Sequence, residues 1–470
     1  MTGTDKLLPL RKPTLYWAMR GSFHYRVDTS TGLVQDGHGL WVPAGSEVVL
    51  APRHGAVVIP IPGLDIPGQA NHRVFRFSPP WREALLHAYA VSIGHLEHQA
   101  SPSDPVHSEF TRVFTRGQQP LAPPFPRSQD LVQWCSRVLD TPGTEPPPAG
   151  WHTRTLHRWM LNETGLSPQA WTRAARLARA AQQLTQGIDP AMVAVTAGYT
   201  STSAFSRAFA RHTGVSPARW VDQPAPDCDG ENADPRAALA RIPPGGTWAR
   251  INGAHVAIWM ASGRARVEVG QRVLVLEAGQ GVVLPAGHPN KITFLDPGTV
   301  LLPVGYRPGA SLELAAPRQA TDCAPEDAEL MIGSSAACYG GLPHPGIDPG
   351  YAFNKLSEPQ QATDLHGDWR LLSRLASAVG EQKTSSLEQL ARTASLEPAR
   401  LSQVLEQHTG LRFAQWKRRI RMTRARGILL RGASPGHVAR SLGYAHPSAF
   451  TRAFSAVHGR APSGLARDGD

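Results

Sequence analysis

The chain has 470 residues, of which 41% are hydrophobic, so it is long enough to bury several cores without help from disulfides or metals. Its longest apolar runs are much shorter than a bilayer span and are broken by Pro and Gly, which argues against a membrane-spanning helix. The first residues lack the continuous apolar core of a secretory signal, so we expect a cytoplasmic protein without membrane contact. The four Cys form no CxxC pair, and no cysteine zinc site is indicated.

The basic residues are concentrated in two blocks. The chain carries 48 Lys and Arg against 37 acidic residues, a formal charge of +11. Residues 151–220 carry +6 and residues 369–467 carry +13, so the rest of the chain is mildly acidic. Basic blocks suit a polyanion, and Arg in particular suits phosphate and guanine. A preference for Arg over Lys also follows from a GC-rich genome, so composition alone leaves both explanations open.

The two basic blocks are copies of one another. Residues 164–220 align without gaps on residues 409–465, with 23 identities in 57 positions at an offset of 245. The amino-terminal parts of the two halves match at an offset of 242, where Trp17 falls on Trp259 and a VPAG turn falls on an LPAG turn. We predict a two-fold tandem duplication, joined by a Pro-rich and acidic linker over residues 222–246.

Each half begins with segments that are typical of β structure. They are short, apolar or alternating in polarity, and separated by Gly, Pro and Asp, which is the spacing of a small antiparallel sandwich or barrel. We predict an α+β protein with two small antiparallel β-barrels, each followed by a connector and an all-α domain. The predicted segments are β domain 1 over 1–70, helical connector 1 over 71–150, helical domain 1 over 151–221, the linker, β domain 2 over 247–310, connector 2 over 311–366 and helical domain 2 over 367–470.

Each basic block carries explicit helix signals. Ser167 is an N-cap residue and Pro168 follows at the first helical position, after which apolar residues recur every three or four positions until Gly187. An Asp-Pro pair starts a second helix, a Gly-Tyr turn follows, and a third helix is predicted from about Ser201 to His212. A short helix, a Gly-containing turn and another short helix form a helix-turn-helix, and the second block repeats this pattern.

The last helix of this unit is predicted to present an Arg among small side chains. Phe205 and Phe209 mark the face that packs inward. The outward candidates in the two copies are Thr202, Ser203, Ser206 and Arg207, and then Pro447, Ser448, Thr451 and Arg452. Small side chains allow a close approach to DNA, and a guanidinium binds a guanine edge in a bidentate contact worth about 1–3 kcal/mol of discrimination. The alternative is that both Arg merely solvate their helices.

These segments resemble the DNA-binding domain of AraC/XylS-type transcription regulators. The resemblance is carried by TGLSPQAW and GYTSTSAFSRAFARHTGVSP in the first copy, and by RRIRMTRARGILLRG and GYAHPSAFTRAFSAVHGRAP in the second. The β-rich parts resemble the cupin-like sensor domain that often accompanies it. Membership implies two helix-turn-helix units per block, joined by a long helix and inserted into successive major-groove faces of double-stranded DNA.

The first half departs from the family pattern in one place. Four Pro between Thr141 and Trp151 leave little room for the helix that precedes the first reading helix, so this unit is expected to be truncated. The candidate residues of the first reading helices are Arg154, His157 and Arg158 in one half and Arg400 and Ser402 in the other. Salt-dependent phosphate contacts are expected from Arg173, Arg176, Arg179, Arg418, Arg421 and Arg424.

Enzyme and binding-protein alternatives are less well supported by the sequence. The HxH and Glu pattern of metal-binding cupins, a GxSxG elbow and a phosphate-binding GxxxxGK[ST] loop are all absent, so we expect no metal and no cofactor. The alternative remains a tandem cupin protein that binds a small molecule, or a metal-dependent bicupin enzyme. Tyr16, Trp17, Trp41 and Trp259 could line an effector pocket, although aromatic residues in β domains are also typical of the core.

The sequence thus predicts a DNA-binding transcription regulator that is not an enzyme. A single chain would carry two sensor and reader modules and act as a pseudo-dimer, because the tether makes binding of the second module intramolecular. Since the two readers differ, non-identical half-sites are expected. The expected partners are double-stranded DNA, RNA polymerase and an unknown small-molecule effector.

Overall fold

The computed structural model describes most of the chain, with gaps mainly at connections. The described residues are 9–28, 30–66, 69, 71–94, 96, 104–115, 123–126, 128–140, 146–185, 188–213, 216–222, 234–312, 314–360, 367–381, 386–430 and 433–467. The helix end predicted at Gly187 lies outside them, as do residues 223–233 of the predicted linker. None of the described helices is both long and apolar enough to cross a membrane.

The first half begins with two antiparallel sheets. Its described strands are β1 (Thr14–Arg20), β2 (Phe23–Val27), β3 (Ser30–Val34), β4 (His38–Val42), β5 (Val48–Pro52), β6 (Val57–Pro62) and β7 (Arg73–Arg76). One sheet has the order β6-β1-β4-β7, and the other has the order β3-β2-β5. Along β2, Phe23, Tyr25 and Val27 are buried and the residues between them are exposed, which is the alternation expected of a strand with one face on a core.

The second half repeats this arrangement. Its described strands are β8 (Arg250–Ile251), β9 (Ala254–Ser262), β10 (Ala265–Val269), β11 (Arg272–Leu276), β12 (Gln280–Leu284), β13 (Pro289–Phe294), β14 (Val300–Pro308) and β15 (Thr321–Asp322). They form sheets in the orders β14-β9-β12-β15 and β11-β10-β13-β8. The strand order of the first half therefore recurs, with β8 added at one edge.

The predicted closed barrels are wrong. A barrel needs a continuous ring of paired strands, whereas each half divides its described strands between two separate sheets with free ends. β1 pairs with β4 and β6, and β2 pairs with β3 and β5, so no described ladder joins the two sheets. The alternating sequence pattern suits a sandwich equally well, because both architectures bury one face of each strand.

The two β regions share one hydrophobic core with the connecting helices. These are α1 (Trp81–Ser92), α2 (Pro105–Thr115), α10 (Ala328–Tyr339) and α11 (Tyr351–Ser357), whereas α3 (Gln129–Asp140) packs in a separate cluster with the helices that follow it. Side chains of both halves, including Trp17 and Trp259, belong to the same buried cluster. On α1, Tyr89 donates its hydroxyl to the carbonyl of Ser335 on α10 at 3.1 Å. The halves are therefore joined by packing as well as by the chain.

Part of the predicted linker is helical. α9 (Pro235–Ala240) begins after Asp234, whose carboxylate accepts a hydrogen bond from the Ala237 N–H at 2.8 Å. Ala238 and Leu239 are buried in the same core as α1 and α2. This helix was not predicted from the sequence because its only signal is one Asp-Pro pair. The Pro and acidic residues around that pair are typical of a linker.

Each half ends in helices at matching positions. The first set is α4 (Thr153–Thr164), α5 (Pro168–Thr185), α6 (Pro190–Thr196), α7 (Thr202–Thr213) and α8 (Pro217–Asp222). The second is α14 (Pro398–Thr409), α15 (Phe413–Leu430), α16 (Pro435–Ser441), α17 (Pro447–His458) and α18 (Pro462–Arg467), preceded by α12 (Gly367–Glu381) and α13 (Leu387–Thr393). Every helix of the first set starts and ends 245 residues before its counterpart, the offset of the sequence repeat. That both halves arose by duplication stays a prediction.

Candidate nucleic-acid interface

Each helix-turn-helix is started by a side-chain cap and turned by a glycine. The Asp189 carboxylate accepts hydrogen bonds from the N–H groups of Ala191 and Met192 at 2.8 and 3.3 Å, which begins α6. At the start of α16, the Ser434 hydroxyl accepts a hydrogen bond from the N–H of His437 at 3.3 Å. Gly198 and Gly443 then adopt φ values of +86° and +71°, a backbone region that favours glycine.

The inward faces of α7 and α17 are fixed by aromatic packing. Phe205 and Phe209 are fully buried against α5 and α6, and Phe450 occupies the corresponding position in the second domain. The Tyr of each Gly-Tyr turn lies edge-on to the first Phe, with ring centroids 5.6 Å apart in both copies. The same rotation of the reading helix is therefore imposed in both domains.

This rotation leaves the predicted reading residues on the outer face. The exposed residues are Thr202, Ser203, Arg207, Pro447, Ser448, Thr451 and Arg452, and Ser206 is half-buried. Within the described part of the chain neither Arg207 nor Arg452 has a hydrogen-bond or ion-pair partner. Both guanidinium groups keep all their donors for an external acceptor, and the side chains beside them are small.

The first units of the two domains differ in how they are supported. In the second domain, α13 packs Leu390 and Ala391 over α14 and buries Val404 almost completely. In the first domain residues 146–152 form no helix, and Trp159, the counterpart of Val404, is 41% exposed and lies beside Trp151. The described part of the first domain thus has a tryptophan pair where the second domain has a supporting helix.

The first reading helices present different side chains. On α4, Arg154, His157 and Arg158 are all exposed. On α14, Arg400 is exposed and donates from Nη1 to Oε1 of Gln403 at 2.9 Å, while Ser402 is half-buried. The exposed side chains of α4 are therefore mainly basic. On α14, the exposed guanidinium of Arg400 is hydrogen-bonded to the amide of Gln403.

Several Arg of the long helices have partners within the protein. Arg176 and Arg179 donate to the carbonyls of Val138 and Leu139, at 3.0 and 2.8 Å, at the carboxyl end of α3. A helix carboxyl end carries a partial negative charge, so these contacts hold α3 on α5. The guanidinium of Arg421 stacks over Tyr444 at 5.0 Å, and burial lowers the pKa of Arg421 below its ordinary value. The exposed Arg of α5 and α15 include Arg173, Arg418 and Arg424.

The second helical domain packs against the β region of its own half. Trp416 on α15 donates its indole N–H to the carbonyl of Gly287 in the LPAG turn at 2.8 Å. On α12, Ser373 and Ser377 donate to the carbonyls of Ala286 and Gly253 at 3.0 and 3.1 Å. Ile251 and Ala286 of the β region also join the hydrophobic core formed by α12 to α15.

The first helical domain has a different anchor. Trp171, the counterpart of Trp416, donates to the carbonyl of Pro124 at 2.8 Å, close to α3. Its two apolar clusters contain only residues between Leu131 and Trp220. The VPAG turn of the first β region, at Ala44 and Gly45, is exposed. The two halves therefore share their elements but differ in how the helical domain meets the β region.

The structure does not assemble the predicted effector pocket. Tyr16, Trp17, Trp41 and Trp259 are all buried, with 1–6% exposure. Tyr16 packs in a different cluster from Trp17, because neighbouring residues of a strand face opposite sides of the sheet. The indole of Trp41 donates to the carbonyl of Leu64 at 2.7 Å, and burial raises the pKa of Tyr16 to about 12. These four side chains form core. No cluster of three or more His, Cys, Asp or Glu suited to a metal lies among the described residues.

Comparison with known proteins agrees with the geometry of both helical domains. A helix-turn-helix domain model matches residues 149–223 and 390–468. The HTH-type transcriptional regulator RipA of Corynebacterium diphtheriae is 28% identical over 270 residues, which cover 55% of this chain and 75% of RipA. The HTH-type transcriptional regulator NimR of Escherichia coli is 27% identical over 235 residues, or 47% of this chain and 84% of NimR.

Among solved structures, the likeness is weaker. Unsaturated fatty acid-bound ToxT from Vibrio cholerae is 14% identical, with a TM-score of 0.35 over 48% of this chain and 92% of that chain. The matched domain model covers α4 to α8 and the end of α13 to α18, the two sets that repeat at the same offset. The chain therefore carries two helix-turn-helix domains and is similar to HTH-type transcriptional regulators.

Proposed function

We propose that the chain binds double-stranded DNA sequence-specifically by placing α7 and α17 in the major groove. The observation that carries the proposal is the pair of exposed, internally unpartnered guanidinium groups of Arg207 and Arg452, held at the same place on equivalent helices. The major groove admits an α-helix, and guanine presents two acceptors there that match a guanidinium. Packing through Phe205 and Phe450 on the opposite face leaves both outer faces available.

The two helical domains are proposed to read different half-sites. α7 offers Thr202 and Ser203 where α17 offers Pro447 and Ser448, so hydroxyl donors near the helix start are fewer in the second copy. On α14, Gln403 adds an amide of the kind that binds adenine through two contacts. One chain would then act as a pseudo-dimer, with the second binding step made intramolecular by the tether.

Phosphate contacts are proposed for the exposed Arg of the long helices. Arg173, Arg418 and Arg424 are exposed, whereas Arg176 and Arg421 are engaged with the protein. The proposal therefore assigns phosphate binding to the first group and support of the helix-turn-helix to the second. Contacts to phosphate position the protein on the duplex and make affinity depend on salt.

The proposal extends to the setting in which the protein acts. We propose a cytoplasmic protein that responds to a small-molecule effector and works with RNA polymerase. The names of its relatives support only its action in transcription. A tandem cupin enzyme is not proposed, because no described feature favours it over DNA binding.

The test begins with selection of bound sequences from random duplex DNA by the full chain. The selected site is then used to compare Arg207→Ala, Arg452→Ala and the double variant in gel-shift assays. Each single change is expected to weaken binding by about 1–3 kcal/mol, roughly 5- to 150-fold, and to relax one guanine position. The double variant should lose specificity while its far-UV circular dichroism stays unchanged.

Arg236→Ala is the matched control, because Arg236 is exposed on α9, outside both helical domains. It removes the same charge and should leave the selected site and the affinity for it unchanged. If the double variant selects the same sequence as the unmodified chain, the assignment of the reading residues is refuted.

A further inference from the structure

In the second β region, β11 forms a sheet edge on which none of the described helices packs closely. β11 is the terminal strand of the β11-β10-β13-β8 sheet, and α15 packs on β8 at the opposite edge. The terminal strands β6 and β14 of the neighbouring sheets both pack against α1 and α10. Exposed sheet edges invite pairing with another strand, and proteins usually cover or charge them.

The backbone of β11 has hydrogen-bonding groups directed at this free edge. β10 and β11 are joined by the two-residue turn at Gly270 and Gln271, which closes on the pair Val269 and Arg272. In such a hairpin the closing pair exchanges backbone hydrogen bonds, and bonded and non-bonded pairs then alternate along the ladder. The N–H and C=O groups of Val273 and Val275 therefore point away from β10.

The side chains of the same two residues are apolar and exposed. Val273 and Val275 are 53% and 50% exposed, among the more exposed large apolar side chains of the described residues. They lie on the outer face of the sheet, opposite Glu268 and Arg266 of β10, which form an ion pair at 3.3 Å. A strand with two exposed valines and free backbone groups combines the two requirements for adding a further strand.

The equivalent edge in the first half lacks these features. β3 occupies the same place in its sheet, and Thr31 and Leu33 stand where β11 has Val273 and Val275. Between them, Gly32 lies under the ring of Tyr25, so that a Cβ there would fall 2.5 Å from the Tyr25 hydroxyl. A glycine weakens strand pairing, and only one of the two outer positions is aliphatic. The feature is therefore specific to β11.

We propose that β11 pairs antiparallel with β11 of a second copy of this chain, joining two β11-β10-β13-β8 sheets into one. The register that uses the outward backbone groups places Val273 opposite Val275 of the partner subunit, and Leu274 opposite Leu274 of the partner subunit. Residues opposite one another share a face, so four valines form a continuous stripe on the outer surface.

The charges at the two ends of β11 are complementary to those of an antiparallel second copy. β11 begins with Arg272 and is followed by Glu277, both exposed. Antiparallel pairing brings the positive end of each strand to the negative end of the other, whereas a parallel arrangement would place like charges together. The two-fold axis through Leu274 makes the contact self-complementary, which closes the assembly at two copies. Each assembly would carry four helical domains.

The first experiment measures the mass of the full chain in solution without DNA, by sedimentation or light scattering over a range of concentrations. The unmodified chain should be a concentration-dependent dimer, and Val273→Lys combined with Val275→Lys should be a monomer. Thr31→Lys combined with Leu33→Lys is the matched control on β3 and should stay dimeric. A monomeric unmodified chain, or equal dissociation of the control, overturns the proposal.

The second experiment tests the register and avoids any folding defect from lysine. Val273→Cys and Val275→Cys are made separately and mixed under mild oxidation. Paired residues in this register lie about 5.5 Å apart between Cα atoms, within reach of a disulfide. The mixture should form cross-linked dimers that neither variant nor the unmodified chain forms alone. A dimer that gives no cross-link in the mixture overturns the proposed interface. Because both experiments omit DNA, they can fail while DNA binding holds.

Discussion

Replacing Gly287 with Ala is a direct test of whether the second helical domain is rigidly seated on the LPAG turn. Gly287 has a φ of +80°, and a Cβ at this position would fall 2.5 Å from the backbone oxygen of Leu372 and 3.2 Å from Ala376 Cβ. Its counterpart Gly45 has a φ of +90° and has no atom within 4 Å of an added Cβ. The two substitutions therefore share the backbone cost and differ only in the contact with α12.

The difference between the two variants can be estimated from these contacts. An alanine in the left-handed region costs about 1–2 kcal/mol in either position. Overpacking against a backbone oxygen adds about 1–3 kcal/mol at Gly287 alone, because a helix backbone cannot rotate aside as a side chain can. At about 2–4 °C for each kcal/mol, Gly287→Ala should lower the melting temperature by several degrees more than Gly45→Ala.

The assay is differential scanning calorimetry of the full chain, supported by amide hydrogen exchange. Gly287→Ala should also speed exchange in α12 near Leu372, since the helix must move away from the turn. Gly45→Ala should leave exchange in α12 unchanged. Equal falls in melting temperature for the two variants, with equal exchange in α12, would refute the rigid seat.

Three further results are expected. Replacing Arg173 or Arg418 by Ala should reduce the slope of log affinity against log salt by about 0.9 for each lost phosphate contact, measured by binding titrations; an unchanged slope contradicts the assignment. Burial lowers the pKa of His288 to about 3, so the stability gained from its neutral form is present above pH 6.5 and is lost as the pH falls towards 3. His288→Phe, which keeps a flat ring on Trp369, should flatten this loss in denaturation at pH 7 and pH 4, and an unaltered pH profile would exclude His288 as its source. Gln403→Ala should relax a single adenine position of the selected site, and a loss spread over all positions would argue against base reading.

The helical domains could be predicted from sequence because their signals are local. Asp189 and Ser434 cap helices through neighbouring N–H groups, and a glycine at each turn is the residue that tolerates the observed φ. The spacing of Phe205 and Phe209 fixed the inward face, and with it the outward residues. Each of these signals spans a few residues and is repeated in the second copy.

The parts that were missed depend on contacts between distant segments. Trp416 binds the carbonyl of Gly287 across 129 positions, and Arg176 binds Val138 across 38 positions. Neither partner is visible in a periodic pattern, so Arg176 was expected at phosphate. Closed barrel and open sandwich share the same alternation, and only the pairing of β1 and β2 with different neighbours separates them.

The two β regions differ at one position near the anchor of the second helical domain, which is Gly253 between β8 and β9 and Arg11 before β1. Gly253 lies beside α12 and α15, where an added Cβ would be in van der Waals contact with Ile420 and Ala376 at 3.4 and 3.5 Å. The first half has Arg11 at this place, in a turn with the same backbone hydrogen bond, from Gly45 N–H to the Leu10 carbonyl at 2.8 Å.

The first half thus carries an arginine where the second half has the glycine that lies beside α12 and α15. Under the proposed function, a change in the β core would reach α17 through the contact of Trp416 with Gly287, whereas α7 is carried by a domain whose core is its own.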